Sequence, residues 1–150
     1  MTYSDPSGLP DPEIHADFYD STTSKRFFAW VIDCLAIFFL TLLIIPFTLF
    51  LGLLIFPFLW LMVGLVYRIV TLANWSATPG MRIMAIEFRT LRGTHFALGE
   101  AAMHTGIYTL SLGSIVVQVI SVVLMLTNPR GQGLSDMIVG SAVINRAASF

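Results

Sequence analysis

Hydrophobic positions in this chain gather into long unbroken blocks, with the polar residues confined to the segments between them. From Phe27 to Trp75 only Asp33 and Arg68 are charged. A single helix of that length would measure ~73 Å at about 1.5 Å per residue, against a bilayer core of about 30 Å, so the block predicts two membrane spans. The first is expected over about 27–50, with Pro46 near its far end, where a lost backbone hydrogen bond is tolerated. A tight turn near Leu51–Leu53 follows, and the second span is expected over about 53–75, with Pro57 in its first turn. A third block, Gly106–Leu126, is long enough to cross as well. Its Gly, Ser, Thr and Gln residues suit close helix packing in lipid.

The segments between the blocks read differently. Pro79-Gly80 breaks the helix. "AIEFRT" approaches alternation and "LRGT" looks like a turn, which predicts a short interfacial hairpin there. Ala97–His104 reads as an amphipathic lead-in to the third block. "TNPRGQG" ends that block, and "LSDMIVGSAVINRAASF" is too short to span. Residues 1–24 hold five acidic residues, three prolines and no Lys or Arg. A segment so poor in apolar surface predicts a disordered acidic tail. A secretory signal is not expected, because 24 polar residues precede the first block and no small-residue cleavage site ends it.

Composition agrees with the blocks: 56% of the 150 residues are hydrophobic and 11% charged, where soluble domains carry about 25% charged residues. The expectation is an all-α integral membrane protein with three transmembrane helices. Lys25 and Arg26 precede the first span, Arg82, Arg89 and Arg92 follow the second, and the turn between the spans carries no charge. That bias predicts a cytoplasmic N-terminus in a cell inner membrane. Three crossings would leave Arg130 and Arg146 outside. A re-entrant third segment would return them to the cytoplasm, and both topologies stay open.

The two charges inside the blocks pose the chemical question. Arg26 and Asp33 are seven residues apart, two helical turns, so they share one face, with Asp33 about 10 Å deeper. Arg68 lies seven residues before Trp75 and so at a similar depth on the returning helix. Intramembrane ionisable groups usually face the bundle and pair with one another, which predicts an Asp33–Arg68 ion pair. The alternative has Arg68 reaching for headgroups while hydroxyls or water serve Asp33. Cys34 is the single cysteine, so it forms no internal disulfide or thiolate metal site and reads as packing.

"KRFFAWVID", "ATPGMRIMAIEFRTLRG" and "GLSDMIVGSAVI" together resemble the three motifs of the RDD-domain membrane proteins, named for one Arg and two Asp. The matching residues are Arg26, Asp33 and Asp136; Tyr67, Thr78, Pro79, Gly80, Arg82 and Gly93 also fit, Thr78, Pro79, Gly80 and Arg82 forming an interfacial motif. The resemblance covers roughly Lys25 to Arg146, making 25–146 an RDD-type membrane domain and 147–150 its end. Met81 stands where the family usually has Lys, Ser135 where it usually has His, and a basic residue often stands at the position of His104. The resemblance therefore carries no His-Asp dyad at positions 135 and 136. It implies a transport-related role for an ion or small solute, with no defined ligand, or partnership within larger membrane assemblies.

Other function classes find little support. His15, His95 and His104 are too scattered for a metal site. No Gly-x-Ser-x-Gly elbow and no phosphate-binding loop occurs, so neither an enzyme nor a cofactor is expected. Two readings remain: a contribution to transport of an ion or small solute within an oligomer, or a non-catalytic accessory subunit of a larger membrane complex. The expected partners are the bilayer and a second copy or another membrane protein, with no nucleic acid. Arg82, Arg89 and Arg92 near the inner face are placed to meet anionic lipid.

Overall fold

The computed structural model describes residues 7–146. Helix α1 (Thr22–Ile44) runs into a 3-10 turn at Ile45–Thr48, where Pro46 ends it. A second 3-10 turn at Leu51–Leu53 leads into α2 (Phe56–Trp75), with Pro57 in its first turn as expected. Leu49 and Phe50 take positive φ in the bend, and the Thr48 hydroxyl accepts from the Gly52 N–H at 2.9 Å. Helices α1 and α2 are long and apolar enough to cross a membrane. Large side chains along both are exposed, among them Phe39, Leu43, Phe58 and Val66. In water such a surface would be untenable; in lipid it is the expected outer face.

The buried residues of α1 explain how it packs. Ala29, Asp33, Ile37 and Thr41 are buried, spaced four apart on one stripe. Ile37 meets α2 where Gly64 leaves room. Asp33 therefore sits on the one face of α1 that is turned away from lipid.

The third apolar block is not one helix. Helix α4 (Leu98–Leu112) and helix α5 (Ile115–Thr127) are separated at Gly113 and Ser114, where the Ser114 side chain caps α5 by accepting from the Val117 N–H. The block folds back on itself. Tyr108 of α4 reaches Trp30 of α1, whereas the Met125 carbonyl of α5 lies against Thr23 at the start of α1. At about 1.5 Å per residue, α5 carries the chain roughly 18 Å from the bend to Met125. The single third span expected over 106–126 is thus corrected to a helical hairpin: Gly-Ser breaks the helix, and the Ser111 hydroxyl donates to the Gln118 side chain across the bend at 3.1 Å.

Two further expectations change. Strand β1 (Ile86–Thr90) does form, but it pairs antiparallel with β2 (Ser141–Asn145) near the C-terminus, Ile86 opposite Asn145 and Thr90 opposite Ser141. The "LRGT" turn is present, yet it returns the chain to α4 and closes no local hairpin. Among the described residues the structure is mostly helical, and this two-stranded sheet is its one departure from the all-α expectation. The described part of the acidic tail is also packed. Leu9 and Tyr19 are buried against Ala142 and Ile144, and the Asn145 side chain donates to the carbonyls of Asp17 and Asp20, each at 2.9 Å. A segment with so little apolar surface cannot order itself, but it can complete the outer face of β2. Residues 1–6 and 147–150 lie outside the described residues.

The core gathers at one end of the molecule. Ala29, Leu72, Met81, Ile86, Phe88, Phe96, Ala101 and Val143 pack together there, so the start of α1, the end of α2, the sheet, the short helices and the first turns of α4 form one body, from which α1 and α2 project.

Candidate functional site

Two buried carboxylates organise that end. Asp136 lies in α6 (Leu134–Val139), a short helix stopped by Gly140 at φ 72°. It is the third residue after Gly133, and its carboxylate accepts from the Gly133 N–H at 2.9 Å, closing the helix N-terminus. The same carboxylate is ion-paired with Arg26 and lies 2.7 Å from Nε2 of His104. Arg26 also donates to the Gly131 carbonyl at 3.2 Å and lies over the Phe88 ring. Burial alone would push the Asp136 carboxyl up. The Arg26 guanidinium, with His104 adding to it, reverses that and holds the group well below the usual carboxylate range.

Asp33 is held by neutral donors. The Tyr67 hydroxyl donates to Oδ1 at 2.8 Å, the Thr78 hydroxyl to Oδ2 at 2.5 Å, and the Gly80 N–H to Oδ1 at 2.9 Å. Helix α3 (Pro79–Ile83) accounts for the Thr78-Pro79-Gly80 motif. Thr78 caps it by accepting from the Met81 N–H, Pro79 takes the position where no donor is needed, and Gly80 brings its backbone against α1. A Cβ on Gly80 would stand 2.3 Å from the Ala29 carbonyl oxygen. Arg82, the last residue of the motif, lies over the Trp75 ring at 4.8 Å.

The expected Asp33–Arg68 ion pair does not form: no hydrogen bond joins the two and no Arg68 nitrogen lies within 4.0 Å of an Asp33 oxygen. The residue before Arg68 on α2, Tyr67, carries the contact to Asp33. Adjacent helix positions are separated by about 100° around the axis, and Arg68 points instead over the Tyr108 ring of α4 at 4.7 Å. A double-mutant cycle checks this. Asp33→Asn and Tyr67→Phe should couple by about 0.5–3 kcal/mol, and Asp33→Asn with Arg68→Leu by less than about 0.5 kcal/mol. Coupling only in the second cycle would restore the ion pair.

Of the residues singled out by sequence, Arg26 and Asp136 meet, while Asp33 is bound separately to Thr78 and Gly80. Sequence reasoning missed His104 as the third member of the Asp136 cluster. The family's usual place for a histidine is taken by Ser135, and a ring reaches Asp136 from α4 instead, with the Ser135 hydroxyl 3.3 Å from His104 Nε2. It also missed Glu87, buried on β1 and paired with Arg89 and Arg146. Among the described residues no three His, Cys, Asp or Glu side chains converge as metal ligands would.

Beside both clusters lies a cavity of about 380 Å³, walled by α1, α2, α4 and α5. Arg26, Asp33 and Arg68 border it, with Thr105 and Tyr108 from α4. Comparison with curated proteins finds no match, and comparison with solved structures finds none either. The model of the RDD family matches residues 21–140, a stretch running from the residue before α1 to the glycine that ends α6, and the chain therefore belongs to the RDD family, a membrane-associated family.

Proposed function

We propose that this is a non-catalytic inner-membrane protein that contributes to transport of a small solute by binding it in the cavity between α1, α2, α4 and α5, with a second copy or another membrane protein completing the route. The cavity carries this reading. Asp33 and Asp136 are fully engaged with fixed donors and act as fasteners, which leaves the cavity as the place where a ligand finds open space. It does not extend into a polar path along the spans, so binding is the step this chain supplies.

In the proposed topology α1 and α2 cross the bilayer, and α4 and α5 enter as a re-entrant hairpin reaching little more than half of a core about 30 Å thick. Charge distribution supports a cytoplasmic N-terminus. Lys25 bonds Asn145 and Arg26 bonds Asp136 at the packed end, and Arg82, Arg89, Arg92, Arg130 and Arg146 belong to the same end. Reporters fused after Ser24, near Arg92 and after Phe150 should all read cytoplasmic, and one inserted near Leu51 should read outside. A fusion after Phe150 reading outside would mean that the hairpin crosses. Arg82, with Trp75 beneath it, and Arg92 are then placed at the headgroups, where anionic lipid would meet them.

The accessory-subunit reading draws on the same fasteners: polar residues so completely engaged are what a rigid docking module needs. Gentle purification with its neighbours separates the two. A homo-oligomer supports transport, and a fixed foreign partner in constant ratio supports the subunit role.

A further inference from the structure

We propose that the cavity holds the anionic headgroup of a membrane amphiphile, a carboxylate or phosphate oxyanion on Arg68, with the acyl chain leaving sideways between α1 and α5. This rests on the reading of the cavity as a binding site and names its ligand class.

Three observations converge on it. Arg26 is taken by Asp136 and the oxygens of Asp33 by Tyr67, Thr78 and Gly80. Arg68 remains with no carboxylate and no hydrogen-bond acceptor among the described residues, its guanidinium stacked on Tyr108 and bordering the cavity. A guanidinium offers five donors and is suited to bidentate oxyanion binding, and a cation at this depth is costly without a partner. Thr105 is the second observation. The helical threonines Thr41, Thr71 and Thr109 each return their hydroxyl to the carbonyl four residues back. Thr105, one turn before Tyr108, does not; its Oγ1 is buried, borders the cavity and has no partner among the described residues. An unsatisfied buried hydroxyl needs an explanation, and a ligand oxygen supplies one. Third, the remaining walls are chiefly apolar. Phe27, Trp30 and Val122 border the cavity and are themselves exposed, and α1 and α5 meet at the Thr23–Met125 end without packing along their lengths, which leaves a side opening for an acyl chain. A free inorganic anion would leave those walls unused, whereas an acyl chain fills them.

The test uses the full chain, purified in neutral detergent and stripped of lipid, with dodecanoate, dodecanol, acetate and inorganic phosphate as probes read by native mass spectrometry. Dodecanoate should bind at least about tenfold tighter than dodecanol, as a charge-assisted hydrogen bond implies, and acetate and phosphate should bind weakly. Arg68→Gln should remove the preference for dodecanoate, and Arg68→Lys should keep part of it. Thr105→Val should weaken dodecanoate roughly fivefold, the equivalent of one neutral hydrogen bond, without lowering the unfolding temperature. Should Arg68→Gln fail to fold, the Thr105→Val variant and the acid-to-alcohol comparison in the unaltered protein decide the matter. Equal binding of dodecanol and dodecanoate overturns the proposal, as does acetate or phosphate binding as tightly as dodecanoate. Oligomeric state is measured separately: dodecanoate binding by a protein found with a fixed foreign partner keeps this ligand class and moves the function to the accessory reading.

Discussion

Replacing Asp136 by Asn, or Arg26 by Leu, is expected to cost about 3–5 kcal/mol of stability, the range for removing one member of a buried ion pair. Arg26→Leu should be the worse of the two. Asp136 is fully buried while Arg26 keeps some exposure, so losing the arginine strands the less solvated charge. Asparagine at 136 still presents an oxygen to the Gly133 N–H and keeps the start of α6 capped, whereas Arg26 retains the Gly131 carbonyl and the Phe88 ring. The double variant should recover much of the loss, since no buried charge is then left unpaired. Unfolding temperature and folded yield in detergent measure all three, and additive losses would show that the pair is not coupled. The pH dependence follows in sign. Because the folded state holds the Asp136 carboxyl below its ordinary value, its contribution is fully present above the unfolded carboxylate pKa, about 3.9. It is lost as pH falls through the depressed folded value. Asp136→Asn should flatten that part of the stability profile.

Gly80→Ala should be comparably damaging for a steric reason. The added methyl would sit 2.3 Å from the Ala29 carbonyl oxygen, a backbone contact that no side-chain rotation relieves, and 2.8 Å from Oδ1 of Asp33. Either α3 is pushed off α1 or the Gly80 N–H loses Asp33, and both outcomes leave a buried carboxylate short of a donor. The expected loss is several times that of an ordinary surface change, on the order of 3 kcal/mol or more. Gly106→Ala is the matched control. Nothing lies within 4 Å of its added carbon, and alanine in a helix interior gains up to about 1 kcal/mol over glycine. A Gly80→Ala protein that unfolds at the unaltered temperature would refute the close approach.

These two sites mark where a single chain can be read and where it cannot. The hydrophobic blocks determined α1 and α2, because burying some twenty apolar residues in lipid depends on composition and length alone. Proline placement set the α1–α2 bend for equally local reasons. The motif Thr78-Pro79-Gly80 announced a helix break, but its purpose, a capped α3 pressed onto Asp33, depends on a helix 45 residues earlier.

Tertiary structure decided the rest. Helical spacing did not give the azimuth of Arg68, and the contact fell to Tyr67. Alternation in "AIEFRT" revealed a strand but not its partner, which comes from residues 141–145. The acidic tail looked too polar to order, and its described part packs against the outer face of that same strand. Gly106–Leu126 was long enough to cross, and Gly113-Ser114 with the Thr23–Met125 contact turned it back. In each case local chemistry fixed what a segment could become, and contacts from distant parts of the chain selected which of those forms buried its polar groups with partners.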